Sequence, residues 1–572
     1  LKNCTLNTRL PQRTGAGILL VLFGLSLTVN GYAAILANHN KRGLRAYTIE
    51  GVLRLQEEEI DLGTAALILS RDWGTNKTSH VYRRKIDDIA EEILKRLNDQ
   101  HIPADYRAIP VINAYLFDEL GFATVDNADN PDDLFLHMVL EKRRGYCLSL
   151  SVLYLAIAER VGLPMYGVVV PGHFFVRYDD GNIRYNIETT SRGANAPDEH
   201  YKEQFKAPRR LQTLYMKNLT KKQTLGCFFN NLGNCYLAVG DTQQAFDILT
   251  SAVQINPLLS EAHMNLGNIY LQKQRPAEAV AKYEQALSIL GQDAHIFNNL
   301  GTAYLQLNEP LKAESYYLTA MNLDPENPDT HRNLARAMML QNKDQAAIAR
   351  LQEALLLNRD DVESMILLGQ IYQKLKQPDD ALPQFQKALR VDPYSFSARN
   401  SLGFLYLEIN HPQEALLQFR SALDYHGDNA GTWFGMAQAF HLTGQIDDEI
   451  RAYETTLDLS PNLVSALQNV GNAYLQNQQL DAAVSAYQKA VQLEPDNAAL
   501  RYNLAVAYAK TQQHQQAVAE FLKAIQFNPG HAPAFHGIAI SYYHLGEYEY
   551  AKLYAQKARA GGVEVQDVLL NP

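Results

Sequence analysis

Cysteine is scarce. Cys4, Cys147, Cys227 and Cys235 are the four in 572 residues, a density that excludes a disulfide scaffold, and no CxxC pair or Cys/His cluster has zinc spacing. Long apolar runs are scarce too. The one near the N-terminus, Ala16–Val29, is 14 residues long, which excludes a polytopic membrane protein. Positive charge is in deficit: 52 Lys and Arg against 62 Asp and Glu leave a formal charge of −10. Nothing electrostatic therefore favours nucleic acid as a partner. The remainder, 47% hydrophobic and 20% charged, is the composition of a globular chain with more than one folded unit.

The first residues have the order of an export signal. Arg9 and Arg13 form a basic flank, Ala16–Val29 an apolar run, and Gly31-Tyr32-Ala33 a small-x-small site. The expectation is a signal peptide over 1–33 with a mature start near Ala34, or an uncleaved anchor of the same polarity. It places the protein outside the cytoplasm, whether periplasmic, envelope-bound or secreted, and allows membrane contact only through an unprocessed N-terminus.

Over residues 226–565 the chain repeats itself. A small residue after an apolar one recurs at Gly233, Gly267, Gly301, Ala335, Gly369, Gly403, Ala437, Gly471, Ala505 and Ala539, always 34 residues apart. An aromatic follows three places later in nine units, from Tyr236 to Tyr542. A second small residue follows twelve places later, from Ala245 to Ala551, with Glu449 the exception. Prolines such as Pro257, Pro325 and Pro393 close most units. This spacing predicts a helix hairpin: small residues allow close approach of two helices, the aromatic fills the gap above them, and proline stops the second helix. A single hairpin cannot bury its apolar stripe, so neighbours must stack into a solenoid. Period and pattern closely resemble the tetratricopeptide repeat, in ten copies.

The face of such an array that meets a ligand is made by polar positions of each first helix. Asn231, Asn265, Asn299, Asn333, Asn469 and Asn503 stand two places before the small residue, and Asn234, Asn268 and Asn472 one place after it. A carboxamide both donates and accepts, so a ladder of them suits an extended protein or peptide ligand. The pattern resembles the asparagine ladder in the repeats of O-linked N-acetylglucosamine transferase. Asparagines here can equally hydrogen-bond the next repeat and act as spacers. The ladder breaks at Leu367, Ser401 and Gly435, which makes two patches rather than one track.

Residues 46–205 have a different texture, with 206–225 as a linker or leading helix and 566–572 as a tail. Ala46–Ile60, Asp61–Trp73 and His80–Leu97 read as helices, Cys147–Val161 as a long apolar helix, and Tyr166–Val170 as a strand. A hairpin over His173–Ile187 turns at Asp179-Asp180-Gly181. Cys147 follows Gly145-Tyr146 and opens its helix, where the helix dipole favours thiolate over thiol. His173 follows Pro171-Gly172 at a strand start. Glu188 ends the next strand, within range of the imidazole, and Asn186 is the alternative orienting group. Thiol, base and carboxylate in that order have the logic of a cysteine triad. Cys227 and Cys235, eight apart on one helix, cannot pair with each other, and neither sits beside such a base.

The segment RRGYCLSLSVLYLAIAERVGLPMYGVVVPGHFFVRY is similar to the transglutaminase-like superfamily, in its bacterial SirB-type branch. LFDELGF and NPDDLFLHMVLEKRRG upstream fit as well, and the similarity runs from about Glu50 to Tyr201. The resemblance implies a papain-like α+β core in which Cys147 is the nucleophile and His173 the base. Where the superfamily shows Asp-Pro after a strand, this chain has Asn186-Ile187-Glu188, so the third member departs from the pattern.

The fold expected is a multidomain chain: an α+β transglutaminase-like domain followed by an all-α solenoid. Two functions fit it. One is an exported cysteine hydrolase or transamidase acting on a protein or peptide carboxamide presented by the repeats. The other is a scaffold whose first domain is a catalytic remnant. No metal, cofactor or nucleotide motif is present; the GDTQQ after Val239 is a turn between repeat helices.

Overall fold

The computed structural model describes residues 48–69, 79–125, 131–205, 213–426 and 428–571. The predicted export segment and Cys4 lie outside them. No described helix is long and apolar enough to cross a membrane. The chain packs as two units divided between Asn308 and Glu309.

The first unit opens with short elements: α1 (Ile49–Leu53), a 3-10 turn at Glu57–Glu59 and α2 (Leu62–Leu69). The single helix expected over Ala46–Ile60 is thus broken. Three successive glutamates would stand at its C-terminal end, where the dipole disfavours negative charge. Then follow α3 (Ser79–Asp99), α4 (Ile109–Asn113), α5 (Leu136–Lys142), α6 (Cys147–Val161) and α7 (Asp198–Gln204). Strands β1 (Ala123–Thr124) and β2 (Arg144–Gly145) pair in parallel. A meander of β3 (Met165–Val170), β4 (His173–Asp179) and β5 (Arg184–Ile187) forms the main sheet, antiparallel throughout. Helix α6 is the centre of this half, buried along nearly its whole length and packed on α2, α3, β3 and β4.

Within the stretch that reads as a linker, the described residues 213–225 are part of the fold. Met216 N–H donates to Val169 O at 3.1 Å and Leu219 N–H to Gly167 O at 2.9 Å, which lays the chain along the free edge of β3. Thr220 then caps α8 (Lys221–Ala238), the first helix of the array. Helices α9 (Thr242–Ile255), α10 (Ser260–Gln272), α11 (Pro276–Leu290) and α12 (Ala294–Gln306) continue it. One apolar core runs from Val52 to Ile269 without a break between the α+β part and these repeats.

The second unit begins with the helix Pro310–Leu323 and continues through seven hairpins, from Pro328–Leu340 with Asp344–Leu357 to Ala532–His544 with Tyr548–Ala560. A short helix, Asp567–Leu570, covers the last one through buried Leu569. Each described hairpin turn has a residue at positive φ seven places after the small residue. It is glycine at Gly240, Gly444 and Gly546, and a polar residue such as Asn308, Lys376 or Gln512 elsewhere.

The small-residue column works differently from the sequence expectation. What rests on it is a side chain sixteen places later, on the second helix. Tyr283, Tyr317, Phe385, Phe419, Tyr453, Tyr487 and Phe521 occupy that column and are all buried. Aromatics of the expected column, such as Tyr270 and Tyr372, are only half-buried. The reason is helical geometry: position sixteen lies one turn beyond the alanine at position twelve, on the same inward face. A Cβ added at Gly369 would lie 2.6 Å from Phe385 Cε1. Gly369→Leu is therefore expected to destabilise the array by ~1–3 kcal/mol. Loss of protection in hydrogen exchange should centre on Val362–Val391 and fade with distance. Uniform loss across the second unit would show a more cooperative array.

Candidate functional site

Gly145, Tyr146 and Cys147 are shaped by one contact. Ser149 Oγ accepts from Tyr146 N–H at 2.8 Å and donates to Asp133 O at 2.8 Å, which pins the start of α6. A Cβ at position 145 would come within 2.6 Å of that hydroxyl, so the approach requires glycine. Cys147 is the first residue of α6 and is half-buried. The N–H groups of its turn have no acceptor within the helix.

A tight β3–β4 turn, with Gly172 at φ +71°, puts His173 opposite Val170. Its Nε2 donates to Glu188 Oε2 at 2.7 Å, and Cys147 lies close enough to the same ring to favour its charged form. With Nε2 engaged by Glu188, Nδ1 is the ring nitrogen left for proton transfer. Glu188 Oε1 also accepts from the Thr190 N–H at 3.1 Å and from the Thr190 hydroxyl. Burial works against charge on His173, but hydrogen bonds and charge from Cys147 and Glu188 outweigh it and raise the imidazole to about 9. Burial likewise works against the Glu188 carboxylate, and His173 and Thr190 outweigh it, holding the group below the ordinary range. At neutral pH the site therefore holds an imidazolium against a carboxylate.

The structure brings Cys147, His173 and Glu188 together and sends Asn186 elsewhere. The Asn186 carbonyl accepts from Arg177 Nε at 2.8 Å, and its amide donates to Ala196 O at 2.9 Å and Asp198 Oδ1 at 2.8 Å. Asn186 serves a buried arginine and does not orient the imidazole. Two residues of the site escaped the sequence reading. Phe205 lies parallel to the His173 ring at 4.8 Å, and Tyr201 is parallel at 6.5 Å with its hydroxyl 3.4 Å from Glu188 Oε2. Their spacing of four residues, which puts both on one face at the end of α7, is the signal that points to them.

A cavity of about 300 Å³ opens at Cys147 and His173, and its far wall belongs to the repeats: Asn230, Asn231, Asn234, Glu261 and Asn265. Of the asparagines singled out in the sequence, Asn231, Asn234 and Asn265 thus line the cavity at the cysteine. Asn299 donates to Asn268 Oδ1 at 3.5 Å, a contact between adjacent repeats. Asn333, Asn469 and Asn503 belong to the second unit, where Asn469 donates to the Tyr453 hydroxyl at 3.2 Å. Cys227 also lines the cavity but is buried, which pushes its thiol up strongly, with Glu261 adding to the shift. Burial pushes Cys235 up to about 11. Among the described residues, no group of His, Cys, Asp and Glu is arranged to hold a metal ion.

The transglutaminase-like superfamily model matches residues 80–226, which span all three site residues. Tetratricopeptide-repeat models match 224–292, 258–326, 298–362, 362–395, 401–463, 471–512 and 498–531. The chain therefore carries a transglutaminase-like domain followed by an array of such repeats, an architecture that points to protein interaction. A UPF0162 protein of Xylella fastidiosa is 32% identical over 130 residues, 22% of this chain and 46% of that protein. One of Pseudomonas aeruginosa is 26% identical over 183 residues, 32% of this chain and 66% of that protein. The chain thus spans about half the length of the Xylella relative. Human F-box only protein 21 is 32% identical over 117 residues, 17% of this chain and 18% of that protein. Among solved structures, a tetratricopeptide repeat protein from Parabacteroides merdae aligns with 44% of this chain and 99% of its own, at 17% identity and TM-score 0.33. MamA aligns with 28% of this chain and 94% of its own, at 24% identity and TM-score 0.26.

Proposed function

We propose that the transglutaminase-like domain of this chain is a cysteine-dependent acyl-transfer enzyme acting on a protein or peptide carboxamide, and that the repeats bind the polypeptide carrying it. The observation that supports this most directly is that Cys147 and His173 line one cavity, with His173 held by a hydrogen bond to Glu188. In this reading the Cys147 sulfur attacks the carbonyl carbon, and the oxyanion that forms meets the unsatisfied N–H groups of the first turn of α6. His173 gives its Nδ1 proton to the departing ammonia or amine as the C–N bond breaks, leaving a thioester on Cys147. Water or an amine then attacks the thioester and loses a proton to His173. The C–S bond breaks and the sulfur is restored. Glu188 holds the ring in place through Nε2 and stays ionised throughout. Hydrolysis and transamidation differ only in what enters at the second step. Asn231, Asn265 and Asn299, with Asn333, Asn469 and Asn503 in the second unit, are the proposed contacts for the polypeptide backbone.

Labelling of the full chain with a peptidyl chloroacetamide tests this reading. Peptide mass spectrometry should find the label on Cys147 in the native protein, with Cys227 and Cys235 untouched and the label absent from Cys147→Ser. Equal labelling of Cys147 before and after denaturation would leave the domain a catalytic remnant and the chain a scaffold.

A further inference from the structure

We infer that the first two repeats form the specificity wall of the cysteine site, selecting an uncharged amide over a carboxylate. This rests on the acyl-transfer reading above. The wall is held firmly against the site. The edge of β3 carries the chain into α8, and the Lys221 ammonium, at the start of that helix, binds Glu159 of α6 and Ile60 O. Tyr215, from the same stretch, donates its hydroxyl to Glu261 of α10.

Within the wall three of the four asparagines act as one group. Asn265 Nδ2 donates to Asn230 Oδ1 at 3.0 Å and to Asn234 Oδ1 at 2.8 Å. These bonds use both donors of Asn265 and leave its Oδ1 as an acceptor, with the Nδ2 groups of Asn230 and Asn234 as donors. Among the described residues those atoms make no further hydrogen bond. A cavity wall offering donors beside an acceptor matches an amide, which has both. Charge points the same way. Among the described residues, those lining the cavity include no lysine or arginine, and Glu261 faces it from the repeats. A carboxylate entering here meets a like charge, and among the described lining residues the one cation, His173, is already engaged by Glu188. An imidazolium beside a thiol would by itself draw in an anion, so the wall and the dyad make opposite demands that an experiment can separate.

Iodoacetamide and iodoacetate make that separation. They alkylate sulfur by the same displacement of iodide and differ only in amide against carboxylate. In the full chain, the ratio of iodoacetamide to iodoacetate rates at Cys147 should exceed that of N-acetylcysteine by about tenfold, the scale of one well-made hydrogen bond with a charge penalty. Asn265→Ala and Glu261→Gln should each bring the ratio at least about threefold back toward the free thiol. Glu261→Gln keeps the side-chain shape and decides the matter should Asn265→Ala not fold. A wild-type ratio no higher than the free thiol's overturns the wall, as does a ratio indifferent to the substitutions. If His173→Ala instead leaves the iodoacetamide rate at Cys147 unchanged, the acyl-transfer reading falls. The two failures are therefore distinct.

Discussion

His173→Ala is expected to slow alkylation of Cys147 by iodoacetamide near pH 6 by about 10²-fold or more, the scale of a positioned proton-transfer group. Thiolate is the attacking form of a cysteine, and a neighbouring imidazolium favours it. With the His173 imidazole raised to about 9, the ring is charged at pH 6 and the wild-type advantage should decline only as pH rises through that value. Glu188→Gln should have a smaller effect, since an amide oxygen still accepts from Nε2 but no longer supports the charge. Asn186→Ala should leave the rate near wild type and lower stability instead, because Asn186 serves Arg177. The same shift has a stability consequence of fixed sign. A histidine whose value is raised on folding stabilises the native state fully below its unfolded value of about 6.5 and loses that contribution by about 9. His173→Gln should therefore be destabilised relative to wild type at pH 6 by on the order of 3 kcal/mol and by much less at pH 10. A rate at Cys147 that ignores His173 would remove the case for catalysis.

Arg160→Ala is expected to cost about 3–5 kcal/mol of stability in the first unit, the range for stripping one partner from a buried ion pair. Arg160 lies near the end of α6 and is 2% exposed. Its Nη2 is 3.0 Å from Asp61 Oδ2, its Nε binds Asp87 of α3, and its Nη1 donates to Ala156 O at 2.9 Å. The helix that carries Cys147 is thereby tied to the start of α2 and to α3. Without the arginine, Asp61 keeps a carboxylate buried beside Thr64 with no cation. Burial works to raise Asp61, and Arg160 with Thr64 outweighs it and holds the group below the ordinary carboxylate range. A lowered carboxylate stabilises the fold above its unfolded value and loses that contribution as pH falls through the folded one, so this pair should fail only in acid. Urea melts of the single variants and of Arg160→Ala with Asp61→Asn measure the coupling. The double variant should recover part of the loss, and a cost under about 1 kcal/mol for Arg160→Ala would show the pair to be incidental.

The parts of this protein that its sequence determines by itself are the local ones. A period of 34 residues sets the helix hairpins because each unit packs only on its neighbours, so spacing along the chain is spacing in the fold. The start of α6 at Cys147 and the turn before His173 were legible for the same reason: glycine and proline within a few residues dictate them. Tertiary structure decided what depends on distant segments. Glu188 rather than Asn186 meets His173 because Arg177 and Asp198, from other elements, draw Asn186 away. The side chain beneath each small residue, a ring in seven of the ten units, comes from a second helix sixteen positions on, a choice that depends on how the hairpin closes. Arg160 finds Asp61 across 99 residues. The cavity at Cys147 takes its far wall from Asn230, Glu261 and Asn265 because the chain after α7 runs along β3 before the array begins. No periodicity records that path, since it is set by an unpaired strand edge seeking hydrogen bonds.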